Sequence, residues 1–199
     1  LLIKRRNAKI PQNSGETSTR IHTVTKNINQ LISEGIAEEA GLSESTIERR
    51  TPAIRFLPDA YSSIGVGFSV KGVRIILTNL DSAIKADRTL RNPDFKDIDG
   101  VMMAIRQEVD SILLEKEVSA NEVLGIGFSL PGPTNEETKV LKIAPNLEIR
   151  HVDFTKYESA FEFPLFVEND ANAAAMAELT LGIAKTMRSL VYICVMSRG

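Results

Sequence analysis

The chain has 199 residues, of which 43% are hydrophobic and 25% are charged, and its formal net charge is −2. This length and apolar fraction exclude an intrinsically disordered chain and allow one large domain or two smaller ones. The sequence has no run of about 18 apolar residues, which excludes a transmembrane helix. Its one cysteine, Cys194, excludes a disulfide framework within the chain. We therefore expect a soluble cytoplasmic protein that has no membrane partner.

Charge is unevenly distributed along the chain. Residues 1–55 hold nine Lys and Arg residues against six Asp and Glu, whereas residues 56–199 are acidic on balance. The imbalance is sharpest over residues 1–31, where six basic side chains stand against one acidic side chain, Glu16. A basic head on an acidic body favours a small nucleic-acid-binding module. Charge alone leaves an ordinary solvated helix as an equal alternative.

The first 57 residues follow the order of a winged helix-turn-helix. Residues 1–8 are predicted to be the end of a truncated helix, and residues 11–16 are turn-forming. A second helix is predicted over residues 23–34, because its apolar residues recur at helical spacing, and Gly35 ends it. Two short strands around a polar stretch complete the pattern, and they are expected at residues 36–40 and 53–57.

Polar side chains around the start of the second helix are candidates for contacting DNA, because the first turns of a recognition helix face base edges. They are Arg20, His22, Thr23, Thr25, Lys26 and Asn27. Two further candidates in the wing are Arg49 and Arg50. Arginine can fork onto guanine, asparagine can pair with adenine, and cations neutralise phosphates. An ordinary polar helix face has the same residue types, but the charge imbalance and the wing favour DNA binding.

From residue 58 onward the pattern changes to strands that alternate with helices, which predicts an α/β domain. A hairpin turn is predicted at Lys71-Gly72, an amphipathic helix over residues 94–116 and an Ala-rich helix over residues 171–181. The strands are expected over residues 64–70, 73–79, 123–129, 165–167 and 190–195.

Three segments of this domain are distinctive. They are VLGIGFSLPGP at residues 123–133, APNL at 144–147 and FVENDANAAAMAE at 166–178. Together they resemble the ROK family, which comprises bacterial repressors and sugar kinases with an actin-like ATPase (ribonuclease H-like) fold. The resemblance extends from Ile64 to Tyr192. The basic head is similar to that of the xylose- and N-acetylglucosamine-responsive repressors of this family.

The resemblance implies a chain of three parts. They are a winged helix-turn-helix domain at residues 1–57, an N-terminal actin-like lobe at 58–185 and the start of a truncated C-terminal lobe at 186–199. Family members have a zinc motif and further sugar contacts in that second lobe. We therefore expect no cofactor or metal ligand in this chain and zinc only in a missing C-terminal lobe. The chain begins without methionine, so residue 1 is not expected to be the biological start. A fragment and a naturally truncated protein both remain open.

Asp170 follows a predicted strand and opens a helix, which is where α/β proteins bind ligands. The resemblance implies that Asp170 contacts sugar hydroxyls together with Glu168, Asn169 and Asn146. Without the resemblance, a helix N-cap would explain Asp170, and a turn would explain Asn146. In the kinases of the family, the matching aspartate is the base that activates the accepting hydroxyl.

The predicted hairpin departs from the kinases of the family, which have Asp-x-Gly-Gly-Thr at this place. In that pattern the carboxylate organises magnesium, and the glycines let backbone amides approach the ATP phosphates. Here Gly67 replaces the aspartate, and Ser69 and Val70 replace the glycine pair. Met196 likewise stands at a glycine position of a second phosphate loop. We therefore predict a protein that is not an enzyme and has no catalytic residue.

The leading hypothesis is a sugar-responsive transcriptional regulator, in the first place a repressor. Its expected partners are double-stranded operator DNA, a sugar or amino-sugar effector and further copies of itself in a homodimer or homotetramer. One alternative is a ROK sugar kinase with a fused DNA-binding head, in which Asp170 would be catalytic. Another is a DNA-binding remnant that no longer responds to a ligand.

Overall fold

A computed structural model describes residues 7–9, 21–42 and 52–194. By its internal contacts the chain forms two compact units. The first comprises Leu1–Tyr61 together with the short segment Asn79–Asp81, and the second comprises Ser62–Thr78 and Ser82–Gly199.

The first unit contains a helix and a three-stranded antiparallel sheet in the strand order β1-β3-β2. Its elements are β1 (Asn7–Lys9), α1 (Ile21–Ser33), β2 (Ala37–Leu42) and β3 (Pro52–Phe56). The helix and the two strands that follow it confirm the sequence prediction. The predicted helix end at residues 1–8 is wrong where it is described, because Asn7–Lys9 is a strand. Pairing with β3 satisfies the backbone of this short segment, and such pairing outweighs a weak helical preference.

The helix α1 packs its apolar stripe on this sheet. Val24 and Ile28 are buried against Ala37 of β2 and Ile54 of β3, and Leu31 and Ile32 are partly buried beside them. The helix ends where predicted, because Gly35 adopts a positive φ of 71°. Its N–H donates to the Ile32 carbonyl at 3.0 Å.

The second unit is built on a five-stranded sheet in the order β11-β7-β4-β5-β6. Strands β4, β7 and β11 run parallel, and β5 and β6 run antiparallel to each other. A smaller antiparallel sheet has the order β10-β9-β8. The strands are β4 (Ser62–Ser69), β5 (Gly72–Asn79), β6 (Ile84–Arg91), β7 (Val123–Leu130), β8 (Thr134–Asn135), β9 (Val140–Ala144), β10 (Ile149–Asp153) and β11 (Leu165–Asn169).

Two helices of this unit matter for the site, α2 (Ile98–Glu115) and α3 (Asp170–Thr180). The predicted apolar stripe of α2 is confirmed, with six of its side chains buried in the core. The Asp97 side chain caps this helix by accepting from the Gly100 N–H at 2.9 Å. Helix α3, in contrast, has no buried residue, and alanine fills five of its eleven positions.

The small sheet and β6 are absent from the sequence prediction. Strands β8 and β9 are short, and their burial does not follow the strict alternation that identifies a strand. Three residues in this region have a positive φ without being glycine, namely Lys139, Glu148 and His151. Such backbone geometry is imposed by tertiary packing and leaves little trace in local sequence.

The predicted strand at residues 190–195 is wrong where it is described. Residues 190–194 have no regular structure, and Val191 and Ile193 are 87% and 78% exposed. An apolar run forms a strand only when another strand pairs with it, and none of the described strands pairs with residues 190–194. Among the described residues, no helix is both long and apolar enough to cross a membrane.

Candidate functional site

The candidate site lies at the carboxyl ends of the three parallel strands of the large sheet, where α/β proteins bind ligands. In the strand register, Gly67 of β4 pairs with Ser129 of β7, and Ser129 pairs with Glu168 of β11. Helix α3 begins two residues after Glu168. The predicted hairpin and the predicted Glu-Asn-Asp segment therefore belong to the same sheet edge, on strands β4 and β11 that flank β7, although about a hundred positions separate them in the sequence.

A cavity of about 380 Å³ opens over this part of the sheet. Gly65, Gly67 and Gly127 line it, and Gly65 pairs with Gly127 across β4 and β7. A Cβ added at Gly67 or Gly127 would meet no atom within 4 Å, so these glycines leave open space above the strands. The other lining residues are Val66, Arg74, Ile76, Phe128, Ser129, Phe166, Glu168 and Ala173.

Asn169 is the residue that caps helix α3. Its Oδ1 accepts hydrogen bonds from the backbone N–H groups of Ala171 at 3.0 Å and Asn172 at 3.2 Å. Its Nδ2 donates to the Gly132 carbonyl at 2.9 Å. The sequence alternative that made Asp170 the N-cap is therefore wrong. Asp170 is the first residue of the helix, and its Oδ1 accepts from the adjacent Ala171 N–H at 2.9 Å.

Gly132, in the loop after β7, lies against strand β9. A Cβ on Gly132 would lie 2.0 Å from the Ile143 carbonyl oxygen, so only glycine allows β9 to approach this closely. Beside it, the Lys142 N–H donates to the Pro133 carbonyl at 3.0 Å. Asn169 and strand β9 therefore hold the loop from two sides.

Glu168 forms a pair with Glu136, which follows β8. The hydrogen bond and the negative charge of Glu168 raise the pKa of the Glu136 carboxyl group. Burial works to raise the pKa of Glu168, but hydrogen bonds from Glu136, the Asn169 N–H and the Asn172 side chain lower it on balance. The pair therefore titrates in a fixed order, in which Glu168 loses its proton at lower pH than Glu136 does. Sequence analysis missed Glu136, because no local pattern relates it to Glu168.

Asn146 lies in the single 3₁₀ turn Pro145–Leu147 between β9 and β10. It is exposed, and none of the described residues forms a hydrogen bond with its side chain. Asn146 follows Ile143 by three residues, so it lies within about 10 Å of the strand that contacts Gly132. Asn146 therefore has a free amide, whereas the Asn169 amide is engaged at both ends.

The hairpin between β4 and β5 is held by its own serine. The Ser69 hydroxyl donates to the Gly72 carbonyl at 3.0 Å and accepts from the Lys71 N–H at 3.3 Å. Val70 at the tip is 65% exposed. Gly72 has a φ of 133°, and a Cβ there would lie 2.2 Å from the Leu90 carbonyl oxygen. The turn thus requires Gly72, and Ser69 stabilises it.

Four of the predicted DNA-contacting side chains can be placed on α1. Thr23, Lys26 and Asn27 are exposed, and Thr25 is partly buried. The backbone of His22 lies in the same helix. Arg20, Arg49 and Arg50 lie outside the described residues. Among the described residues, no group of His, Cys, Asp and Glu side chains has the arrangement of a metal site.

The mixed five-stranded sheet and the position of α2 and α3 define an actin-like fold. Residues 63–199 match the sequence model of the ROK family. The chain therefore belongs to the ROK family, which confirms the resemblance seen in the sequence.

Two relatives and one solved structure show the range of this family. Over 174 residues the chain is 26% identical to the xylose repressor of Bacillus subtilis strain 168. That alignment covers 87% of this chain and 45% of the repressor. Over 129 residues it is 26% identical to a glucokinase of Streptomyces coelicolor. This second alignment covers 64% of this chain and 39% of that enzyme. The crystal structure of a ROK family transcriptional regulator, a homologue of the Escherichia coli MLC protein, shares the fold with a TM-score of 0.66.

That regulator is 19% identical, and the alignment covers 87% of this chain and 44% of the regulator chain. This likeness shows the fold alone. The chain spans less than half the length of the xylose repressor and of the solved regulator.

Proposed function

We propose that this chain is a sugar-responsive, DNA-binding transcriptional regulator, in the first place a repressor. One observation favours a regulator over a kinase. The alignment with the xylose repressor covers 87% of the chain, more than residues 63–199 can supply, so it extends into the first unit. The glucokinase alignment covers only 64%. The alignment with the named repressor thus includes part of the first unit as well as the second.

The first unit is the proposed DNA-binding head. Its helix, the two following strands and the strand order β1-β3-β2 support a winged helix-turn-helix. The exposed Thr23, Lys26 and Asn27 are proposed to contact DNA together with Thr25, His22 and Arg20. Arg49 and Arg50 are proposed to contact the backbone or the minor groove from the wing.

The second unit is the proposed effector site. Asp170 offers a carboxylate at the start of α3, and Asn146 offers a free amide with both a donor and an acceptor. These groups suit vicinal hydroxyls, so the proposed ligand is a sugar or amino sugar. Glu168 is proposed to contact the ligand from the cavity edge, and Asn169 both to position the loop and to contact the ligand.

The proposed mechanism is a binding equilibrium without chemistry. Sugar binding shifts the population of conformations, and the shift changes the affinity of a dimer or tetramer for its operator. The hairpin supports this proposal, since residues 65–72 contain no carboxylate to hold magnesium. The Ser69 hydroxyl is also engaged within the turn.

Selection of genomic fragments by the purified chain tests the DNA half of the proposal. We expect enrichment of one palindromic site, and the combined variant Lys26→Ala/Asn27→Ala should lose it. Lys142→Ala, which removes an exposed cation from the second unit, is the matched control and should keep the enrichment. Weak, steeply salt-dependent binding without an enriched site would contradict the proposal.

Titration with D-xylose, D-glucose and N-acetylglucosamine tests the effector half. One of these sugars should weaken or strengthen binding to the selected site, and Asp170→Asn should reduce that sugar's affinity.

The glucokinase relative makes a ROK sugar kinase the second candidate, with Asp170 as its base. Sugar-dependent release of ADP from ATP, lost in Asp170→Asn, would establish it.

A further inference from the structure

The linker between β3 and β4 is fastened to the DNA-binding head. The Leu57 N–H donates to the Ile36 carbonyl at 2.9 Å. The Tyr61 hydroxyl donates to the Glu34 carbonyl, just beyond the end of α1, at 3.1 Å. These two bonds tie both ends of the linker to the segment that follows α1, so the linker is an ordered part of the first unit.

The same linker is hydrogen-bonded to the turn Asn79–Asp81. The Leu80 N–H donates to the Pro58 carbonyl at 3.0 Å, and Asn79 Nδ2 donates to Asp59 Oδ1 at 3.0 Å. Asn79 Oδ1 accepts from the Asp81 N–H at 3.1 Å, which shapes the turn itself. By these contacts the turn belongs to the first unit, although it joins β5 to β6 of the large sheet.

Strand β5 also lines the cavity of the second unit. Arg74 and Ile76 of β5 are among its lining residues. Arg74 is bound to Asp87 of β6 through Nε–Oδ1 at 3.0 Å and Nη2–Oδ2 at 2.6 Å, so the two strands are joined at the cavity. Ile76 precedes Asn79 by three residues, which is about 10 Å along a strand.

We propose that the turn Asn79–Asp81 couples the occupancy of the cavity to the DNA-binding head. A ligand that presses on Arg74 or Ile76 displaces β5, and the turn at the end of β5 moves the linker through Asp59 and Pro58. The proposal rests on the proposed function only for the identity of the two ligands. The physical linkage, in which the protection of the turn against exchange depends on the head and not on the sheet, can be measured without the sugar or the DNA.

Amide hydrogen exchange on the full chain tests this linkage. Ile28→Ala opens a cavity in the core of the head, so the Leu57 and Leu80 amides should exchange at least about tenfold faster. The Ile126 amide, which donates to Pro164 at 2.9 Å within the second unit, should change by less than about twofold. Because Ile28→Ala could unfold the head, Ile28→Val is the milder second variant. It should accelerate exchange of the Leu57 and Leu80 amides more than that of the Ile126 amide, by smaller factors than Ile28→Ala does.

A Leu80 amide that stays protected while Leu57 accelerates would overturn the proposal, because the turn would then follow the sheet. Equal acceleration of Leu80 and Ile126 would overturn it as well, since the coupling would not be specific to this turn.

The functional test uses Asn79→Ala, with Asn135→Ala as its matched control. Asn135 also shapes a turn, by accepting from the Thr138 N–H at 2.8 Å, but lies in the second unit. Asn79→Ala should reduce the sugar effect on DNA affinity at least about fivefold, while each separate affinity stays within about threefold. Asn135→Ala should leave the effect intact. An unchanged effect in Asn79→Ala overturns the coupling, whereas absence of any sugar effect in the unmodified chain refutes the proposed function and leaves the exchange result to decide the coupling.

Discussion

The two faces of the five-stranded sheet are built in opposite ways. On one face, Ile64, Val66 and Phe68 of β4 are buried together with the apolar stripe of α2. On the other face, the same strand presents Gly65 and Gly67 to an open cavity. Alternate residues of one strand therefore supply the core on one side and the floor of the candidate site on the other.

The difference shows how stability and recognition are separated within one sheet. The closed face contributes free energy of folding through buried apolar area. The open face contributes less, since a glycine buries no side chain and α3 beside it has no fully buried residue. Substitutions on the closed face should therefore change stability, and those on the open face should change ligand binding.

The largest expected effect is on the closed face. Phe128 is 1% exposed and lies 5.5 Å from Phe154, 6.1 Å from Phe161 and 6.3 Å from Phe68 between ring centroids. Phe128→Ala should lower the free energy of unfolding by about 3–5 kcal/mol, because it removes a buried ring and leaves a cavity. Urea denaturation of the second unit measures this. Leu124→Ala on the same strand, 49% exposed, is the control and should cost much less.

The next-largest effect is a loss of stability expected at one of two glycines near the site and not at the other. Gly132→Ala should destabilise by about 1–3 kcal/mol, because the new methyl group would overlap the Ile143 carbonyl and force the backbone apart. Gly127→Ala should change stability by no more than about 0.5 kcal/mol, since its Cβ meets nothing, yet it should weaken ligand binding by filling the cavity. Urea denaturation and sugar titration of both variants check this. Equal loss of stability in the two variants would show that the open face is structural after all.

The closed face is the part of the fold that the sequence predicts best. The stripe on α2 and the alternation in β4 are periodic patterns, and periodicity identifies amphipathic elements. Both were predicted within a few residues of their observed bounds. The predicted strand at residues 190–195 is wrong where it is described, because an apolar run alone does not specify the strand that would pair with it.

The candidate site is less predictable. A motif identifies Glu168, Asn169, Asp170 and Asn146, but it does not show that Asn169 is engaged at both ends while Asn146 is free. Glu136 comes from a short strand pair that local sequence does not specify, so its contact with Glu168 could be found only in three dimensions. Long-range packing therefore determines how many hydrogen bonds each motif residue has left for a ligand.

A smaller effect separates the two bonds of Asn169. Asn169→Ala should lower stability by about 1 kcal/mol through loss of the helix cap, with a further cost for the Gly132 carbonyl. Asn169→Asp keeps a capping oxygen but cannot donate to Gly132. It should therefore retain the helix and loosen the loop, as followed by amide exchange at Lys142, whose N–H donates to Pro133. If both variants lose the same stability, the bond to Gly132 contributes more than the cap.

The smallest expected effect is a pH dependence at the edge of the open face. The raised pKa of Glu136 stabilises the fold below the ordinary Glu value, and this contribution is lost as pH rises through the folded-state pKa. The lowered pKa of Glu168 acts in the opposite sense, since its contribution is lost as pH falls. Glu136→Gln removes the pH-dependent contribution of Glu136 and keeps a hydrogen-bond donor toward Glu168.

The stability of the wild type relative to Glu136→Gln should therefore fall as pH rises from about 4 to about 7. Urea midpoints across this range measure the difference. Glu137→Gln is the control, because Glu137 affects Glu136 only through its charge. A difference between wild type and Glu136→Gln that stays constant over this range would mean that the two carboxyl groups titrate independently. Glu136 would then play no part in setting the charge at the cavity edge.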